Sequence, residues 1–206
     1  MSEPSEESPR FLGFEQAARL AGHCRWFEMR LFEVLGGWAE AEDDPRAKLL
    51  LRAHSFRHAW HAELWERRLP VSGPLEGSTL TVPASEEVSA VLEGLTAALS
   101  RSAGIERLSG LYRVVVPRLV ETYTEHLERA GPVTEGPILR WLPLLVADEV
   151  AAGREGERLV EDLLATAENA ERASPAEDRL AELVAEAGAI PSPLGLRELA
   201  VEAEGV

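Results

Sequence analysis

Cysteine is nearly absent. Cys24 is alone, so the chain is expected to form no internal disulfide and no cysteine-based zinc site. Strand signals are scarce as well. The one β-branched cluster, Val114-Val115-Val116, sits inside a longer helical period. No apolar run approaches the ~18 residues of a membrane span. The opening MSEPSEESPR lacks an apolar h-region, so it reads as a disordered tail and not as a secretory leader. No GxGxxG follows a strand, and there is neither a Walker loop nor a GxSxG elbow. Basic residues are outnumbered, 21 against 36 acidic, for a net charge of −15. Phosphate repels such a surface, which argues against nucleic acid and anionic membranes as partners. A cytoplasmic setting is the default expectation.

What remains is helical. The 206 residues are 45% hydrophobic, enough for one domain with a sizeable core. A first helix is expected over 11–35, ended by Gly36-Gly37. Asp44-Pro45 reads as an N-cap and first-turn proline opening a second helix to about Leu69. A polar connection follows, with a shorter helix over 86–100. The third long helix spans about 105–130. The fourth spans about 134–172, with Thr134 as its N-cap, and a short helix over 175–187 comes last. The expected domain map is a tail over 1–10, a helical bundle over 11–172, and a C-terminal helix and tail over 173–206. Short loops make the two hairpins antiparallel, and a long crossover joins them.

Helical wheels show which polar residues share an apolar face. On the first helix the stripe is Phe14, Ala17, Ala21, Cys24, Glu28, Leu31, Phe32 and Leu35, with Glu28 at its middle. On the second it includes His54, His58 and His61, at i, i+4 and i+7. A second stripe there, Leu49, Phe56 and Trp60, needs cover from the crossover helix, the C-terminal helix or a second subunit. The third helix turns Tyr112 and Tyr123 inward, with His126 near its end. The fourth turns Glu149 inward, with Asp148 at the border of the stripe. A buried carboxylate must be paired, protonated or metal-bound. At ~1.5 Å rise per residue, Glu28, His54, His58 and Glu149 fall within a turn or two of one level.

The segments FEMRLFEVLGGW, HSFRHAWHAELWERRLP, LYRVVVPRLVETYTEHLERAGPV and ILRWLPLLVADEV resemble a bacterial branch of the ferritin-like superfamily. That resemblance implies an all-α, ferritin-like four-helix bundle. The superfamily's di-iron and di-manganese members use a lone Glu from each of two helices and a Glu-x-x-His from each of the others. Matched residue by residue, Glu28 takes the place of the first helix's Glu. His61 matches the His of the first Glu-x-x-His, and His58 stands where its Glu would be. The third helix offers no inward Glu, having Leu119 or Thr122 at that level. Glu149 matches the Glu of the second motif, and Ala152 replaces its His. This His-rich, Glu-poor set suits one metal more than a bridged pair, with Fe(II), Mn(II) or Zn(II) as candidates.

The expected function is that of a metal-binding, iron-dependent oxidoreductase or oxygenase acting on a small organic molecule. Glu28, His58, His61 and Glu149 are its expected metal ligands. Glu149 alternatively acts as base, and His54 orients the ligands. A homodimer is expected. The alternative is a metal-free binding or scaffold protein in which the same residues form a polar network. Pro117 and Pro143 are read as interior helix prolines, which either open a cavity beside Glu149 or merely curve long helices.

Overall fold

The computed structural model describes residues 11–71, 76–97 and 104–195, whose regular secondary structure is helical, with no strand among them. The expected tail over 1–10 lies outside the described residues, as do residues 196–206.

Helix α1 (Phe14–Ala41) runs through Gly36-Gly37 and does not stop there. Each glycine costs about 1 kcal/mol in a helix interior. The burial of Leu35, Trp38 and Ala39 outweighs that cost. The Arg107 guanidinium covers the Trp38 ring at 5.6 Å. Gly36 also admits α2 closely, since a Cβ there would meet Ser55 Oγ at 3.2 Å. Helix α2 (Pro45–Glu66) starts as the sequence indicates: the Asp44 side chain accepts from Arg46 N, and Pro45 occupies the first turn. The crossover carries α3 (Gly77–Leu80) and α4 (Glu86–Thr96), the latter capped by Ser85. Gly22 of α1 receives the crossover backbone, because a Cβ there would lie 2.1 Å from the Leu80 carbonyl oxygen.

The third rod is continuous. It comprises α5 (Gly104–Ser109), a π-helical segment (Gly110–Val115) and α6 (Val116–Arg129). Pro117 has no N–H, and its ring would press on the carbonyl four residues back in a regular helix. The wider register just before it, with Val116 N–H bonded to Leu111 O, relieves that conflict.

The fourth rod begins later and ends earlier than its sequence suggests. Helix α7 spans Leu142–Leu163, so Pro143 sits in its first turn and not in its interior. Thr134 caps nothing there; its hydroxyl donates to Leu12 O. Residues 138–140 form a 3-10 turn instead. At the far end Asn169 Nδ2 donates to Leu163 O, and the Thr166 side chain accepts from Asn169 N. These contacts start a separate α8 (Ala167–Ala187), which is long where a short C-terminal helix was expected.

The pairs α1/α2 and α6/α7 form two hairpins, and α2 packs on α7 to join them. Helix α8 lies over α4, α5 and the π segment. The core runs through Phe27, Leu31, Trp65, Leu119, Tyr123 and Leu145. Two expected core residues lie outside it: Phe14 is 67% exposed and Phe32 38%. Phe14 is the first residue of α1, and Phe32 is ~100° round the helix from buried Leu31. The second stripe of α2 is uncovered, with Phe56 77% exposed, because α4 and α8 pack on each other at a different side of the bundle. Among the described residues no helix is long and apolar enough to cross a membrane.

Candidate metal centre

Four buried side chains from three helices converge: Glu28 of α1, His58 and His61 of α2, and Glu149 of α7. Each offers one donor atom, and the four atoms lie within 4.8 Å of one another. His58 and His61 reach the same point because they are three residues apart, on one face of α2. Glu28 and Glu149 are delivered by the apolar stripes of α1 and α7, whose neighbours Leu31 and Leu145 are fully buried.

His58 Nδ1–H donates to Glu28 Oε2 at 2.6 Å. The other Glu28 oxygen accepts from the Tyr123 hydroxyl, also at 2.6 Å. His61 Nε2–H donates to Asp148 Oδ2 at 3.2 Å. That bond turns His61 Nδ1 toward the two glutamates, 3.6 Å from Glu28 Oε2 and 3.2 Å from Glu149 Oε1. His58 Nδ1 stands 3.5 Å from the same Glu149 oxygen. Donors at ~2.1 Å from a tetrahedral metal stand about 3.4 Å from each other. Of the six edges among four donors, three are near that value, the His58–Glu28 edge is shortened by its hydrogen bond, and the remaining two lie within 4.8 Å.

Three of the polar atoms at this point have no hydrogen-bond partner: His61 Nδ1, Glu149 Oε1 and Glu149 Oε2. The 3.2 Å approach of His61 to Glu149 is too poorly aligned to count as one. Unsatisfied buried carboxylate oxygens are costly, and a cation between the four donors would satisfy all three atoms. The donor set therefore fits a metal ion. The Asp148–His61 arrangement also matches the usual support of a ligating histidine, whose second nitrogen donates to a carboxylate.

Without a metal, the charges hold each other. Burial pushes the Glu28 carboxyl up, but His58 and His61 outweigh it and bring its pKa down to about 2. Burial pushes His61 down, yet Glu28 and Glu149 raise it to about 10. His58 is raised above its ordinary value by Glu149 and Glu28, against the same desolvation.

His54 is buried but stands apart from the four. Its Nε2–H donates to Glu155 at 3.0 Å, and its Nδ1 accepts from the Tyr112 hydroxyl at 2.8 Å. Burial lowers its pKa, so it is neutral and this tautomer is consistent. It touches none of the four donors. Arg118 pairs with Glu121 and with the Gly188 carbonyl. His126 forms a second buried pair near the end of α6, with Glu135 at 2.6 Å.

Helix α6 supplies no carboxylate to the group and contributes Tyr123 instead. Sequence reasoning placed Tyr123 inward without a role and left Asp148 at the border of its stripe. The position of Asp148 beside Glu149 was the only signal for its role. Glu155 and Glu135 were passed over, since their pairing depends on how the rods meet. Comparison with protein-family models, with curated proteins and with solved structures returned no match, so the centre stands on its geometry alone.

Proposed function

We propose that this chain is a metal-binding helical-bundle protein of ferritin-like architecture, working as an iron-dependent oxidoreductase or oxygenase on a small organic molecule. One observation carries the metal reading: three unpartnered polar atoms of His61 and Glu149 are buried among four convergent donors. Glu28, His58, His61 and Glu149 hold one ion. Two imidazoles and two carboxylates suit Fe(II), Mn(II) and Zn(II), and ligands of this type with open positions are characteristic of non-haem Fe(II). Bound there, ferrous iron supplies the redox chemistry. Tyr123 keeps Glu28 oriented through its hydroxyl, and Asp148 sets the tautomer of His61. Glu149 backs onto an open cleft from within the core, and its alternative role to that of a ligand is as a base. The surrounding leucines keep the centre dry.

The metal-free reading has its own support, the 2.6 Å bond between His58 and Glu28 in a group of opposed charges. Metal analysis of the purified full chain after anaerobic Fe(II) loading and desalting separates the two. One iron per chain is expected, falling to background in a His58→Ala/His61→Ala variant that keeps its helical circular-dichroism spectrum. Iron content equal in both proteins would sink the metal reading.

A further inference from the structure

A cleft of about 710 Å³ opens along α7, on the side facing the π segment and α6. Its wall is apolar, built from Val116, Pro117, Val120 and Val150. Gly153 lets the two rods approach, since a Cβ there would meet Val116 Cγ1 at 3.3 Å. Tyr112 and Glu149 stand where the cleft backs onto the metal centre.

The rim carries charges of both signs. Arg113 is occupied by Glu157 at 2.7 Å and Glu177 at 3.6 Å. Arg154 and Arg158, on successive turns of α7, make no hydrogen bond or ion pair among the described residues. Glu155 acts on Arg158 electrostatically, and Glu161 lies near them at the rim. Glu157 and Glu161 balance the arginines, so the mouth carries no surplus of charge, and its distinguishing feature is the pair of uncommitted guanidiniums of Arg154 and Arg158. At ~1.5 Å rise, Arg154 and Arg158 lie about 7.5 and 13.5 Å beyond Glu149 along the helix.

We infer that the cleft admits a small amphipathic monoacid, its carboxylate held between Arg154 and Arg158 and its apolar chain laid along Val116, Val120 and Val150 toward Glu149. This rests on the metal reading for its chemistry, because it names the class of molecule presented to that centre. Guanidinium forks match a carboxylate in shape and charge. A phosphomonoester brings roughly twice the charge and so meets more repulsion from the rim carboxylates Glu157 and Glu161. A neutral alcohol of equal length forgoes the arginines altogether.

Isothermal titration of the full chain with octanoate, 1-octanol and octyl phosphate tests the assignment, in Fe(II)-loaded and in metal-free protein. Octanoate is expected to bind at least tenfold tighter than octanol in both forms, and tighter than octyl phosphate. An Arg154→Gln/Arg158→Gln variant should erase the preference for the acid while still taking up one Fe(II). Val120→Trp, which fills the apolar wall, should weaken acid and alcohol alike. The assignment is overturned by undetectable octanoate binding, by equal binding of acid and alcohol, or by tighter binding of the phosphate. It is equally overturned by an acid preference that survives the double variant or exists only with iron present. Intact acid binding in protein that takes up no Fe(II) defeats the metal reading and leaves the cleft assignment standing.

Discussion

Asp148 decides how His61 is used. With Nε2–H bonded to this carboxylate, Nδ1 faces Glu28 and Glu149 and has nothing else to do. Loss of such a supporting carboxylate costs ~10–100-fold in metal affinity. Asp148→Asn is therefore expected to weaken Fe(II) binding by about that factor with little change in the melt of the metal-free protein, as a competition titration with a chelator would show. The acid–base behaviour of the centre has a definite sign. His61, raised from 6.5 to about 10, stabilises the metal-free fold fully below pH 6.5 and loses that contribution as pH climbs through 10. Glu28, lowered from 4.5 to about 2, stabilises it fully above pH 4.5 and loses that contribution as pH falls through 2. Between pH 4.5 and 6.5 both contributions are complete. Iron competes with the imidazole protons, so the rise in Tm on adding Fe(II) should grow from about pH 6 to about pH 8. A shift that shrinks over that range would contradict ligation by His58 and His61. These side chains were legible early: an acid amid an apolar stripe and three histidines at helical spacing are visible in one dimension. Which nitrogen each histidine turns to the centre was not, because it depends on partners from other helices.

The π segment is the element that gives the third rod its function. It accommodates Pro117 and carries Tyr112 to His54. Gly156 of α7 is the counterpart of that ring, since a Cβ there would lie 2.1 Å from Tyr112 Cγ. Gly156→Ala should cost about 1–3 kcal/mol through overpacking, measured by urea unfolding, and should displace Tyr112 from His54. A variant as stable as the wild type would mean that the rods do not meet there. Asp44-Pro45 made the start of α2 readable to the residue, and α4 starts at Glu86 as expected, but α2 ends at Glu66 and α4 at Thr96, both earlier than the sequence suggests. The same local signals misplaced both ends of α7 and the end of α1. Gly36-Gly37 is a helix stop only where packing does not forbid it, and buried Trp38 and Ala39 forbid it. Thr134 is a good cap with no helix behind it, because Glu135 turns inward to His126 and Gly131 N.

At the scale of the molecule, one face is unfinished. Leu49 and Phe56 are exposed at 70% and 77%, and Trp60 and Phe32 at 38% each. A second copy of the chain is the expected cover, and Phe56→Asp should then convert a dimer to a monomer in sedimentation equilibrium without lowering iron content. A wild-type chain that sediments as a monomer throughout the micromolar range would leave the face without that partner. The same scale holds the candidate metal centre, since its four donor residues come from positions as distant as 28 and 149 and meet only when both hairpins are docked.

Composition and periodicity alone settled that this chain is helical, acidic and internally polar at a few positions, because side-chain burial follows a 3.6-residue period that needs no partner to be recognised. They also turned Glu28, Glu149 and three histidines inward, of which His58, His61 and the two glutamates form the cluster. That these four share one point, that Asp148 and Tyr123 serve them, and that His54 faces elsewhere was decided only by tertiary packing. The rotation and height of one rod against another depend on contacts among all of them, and no single helix encodes those contacts.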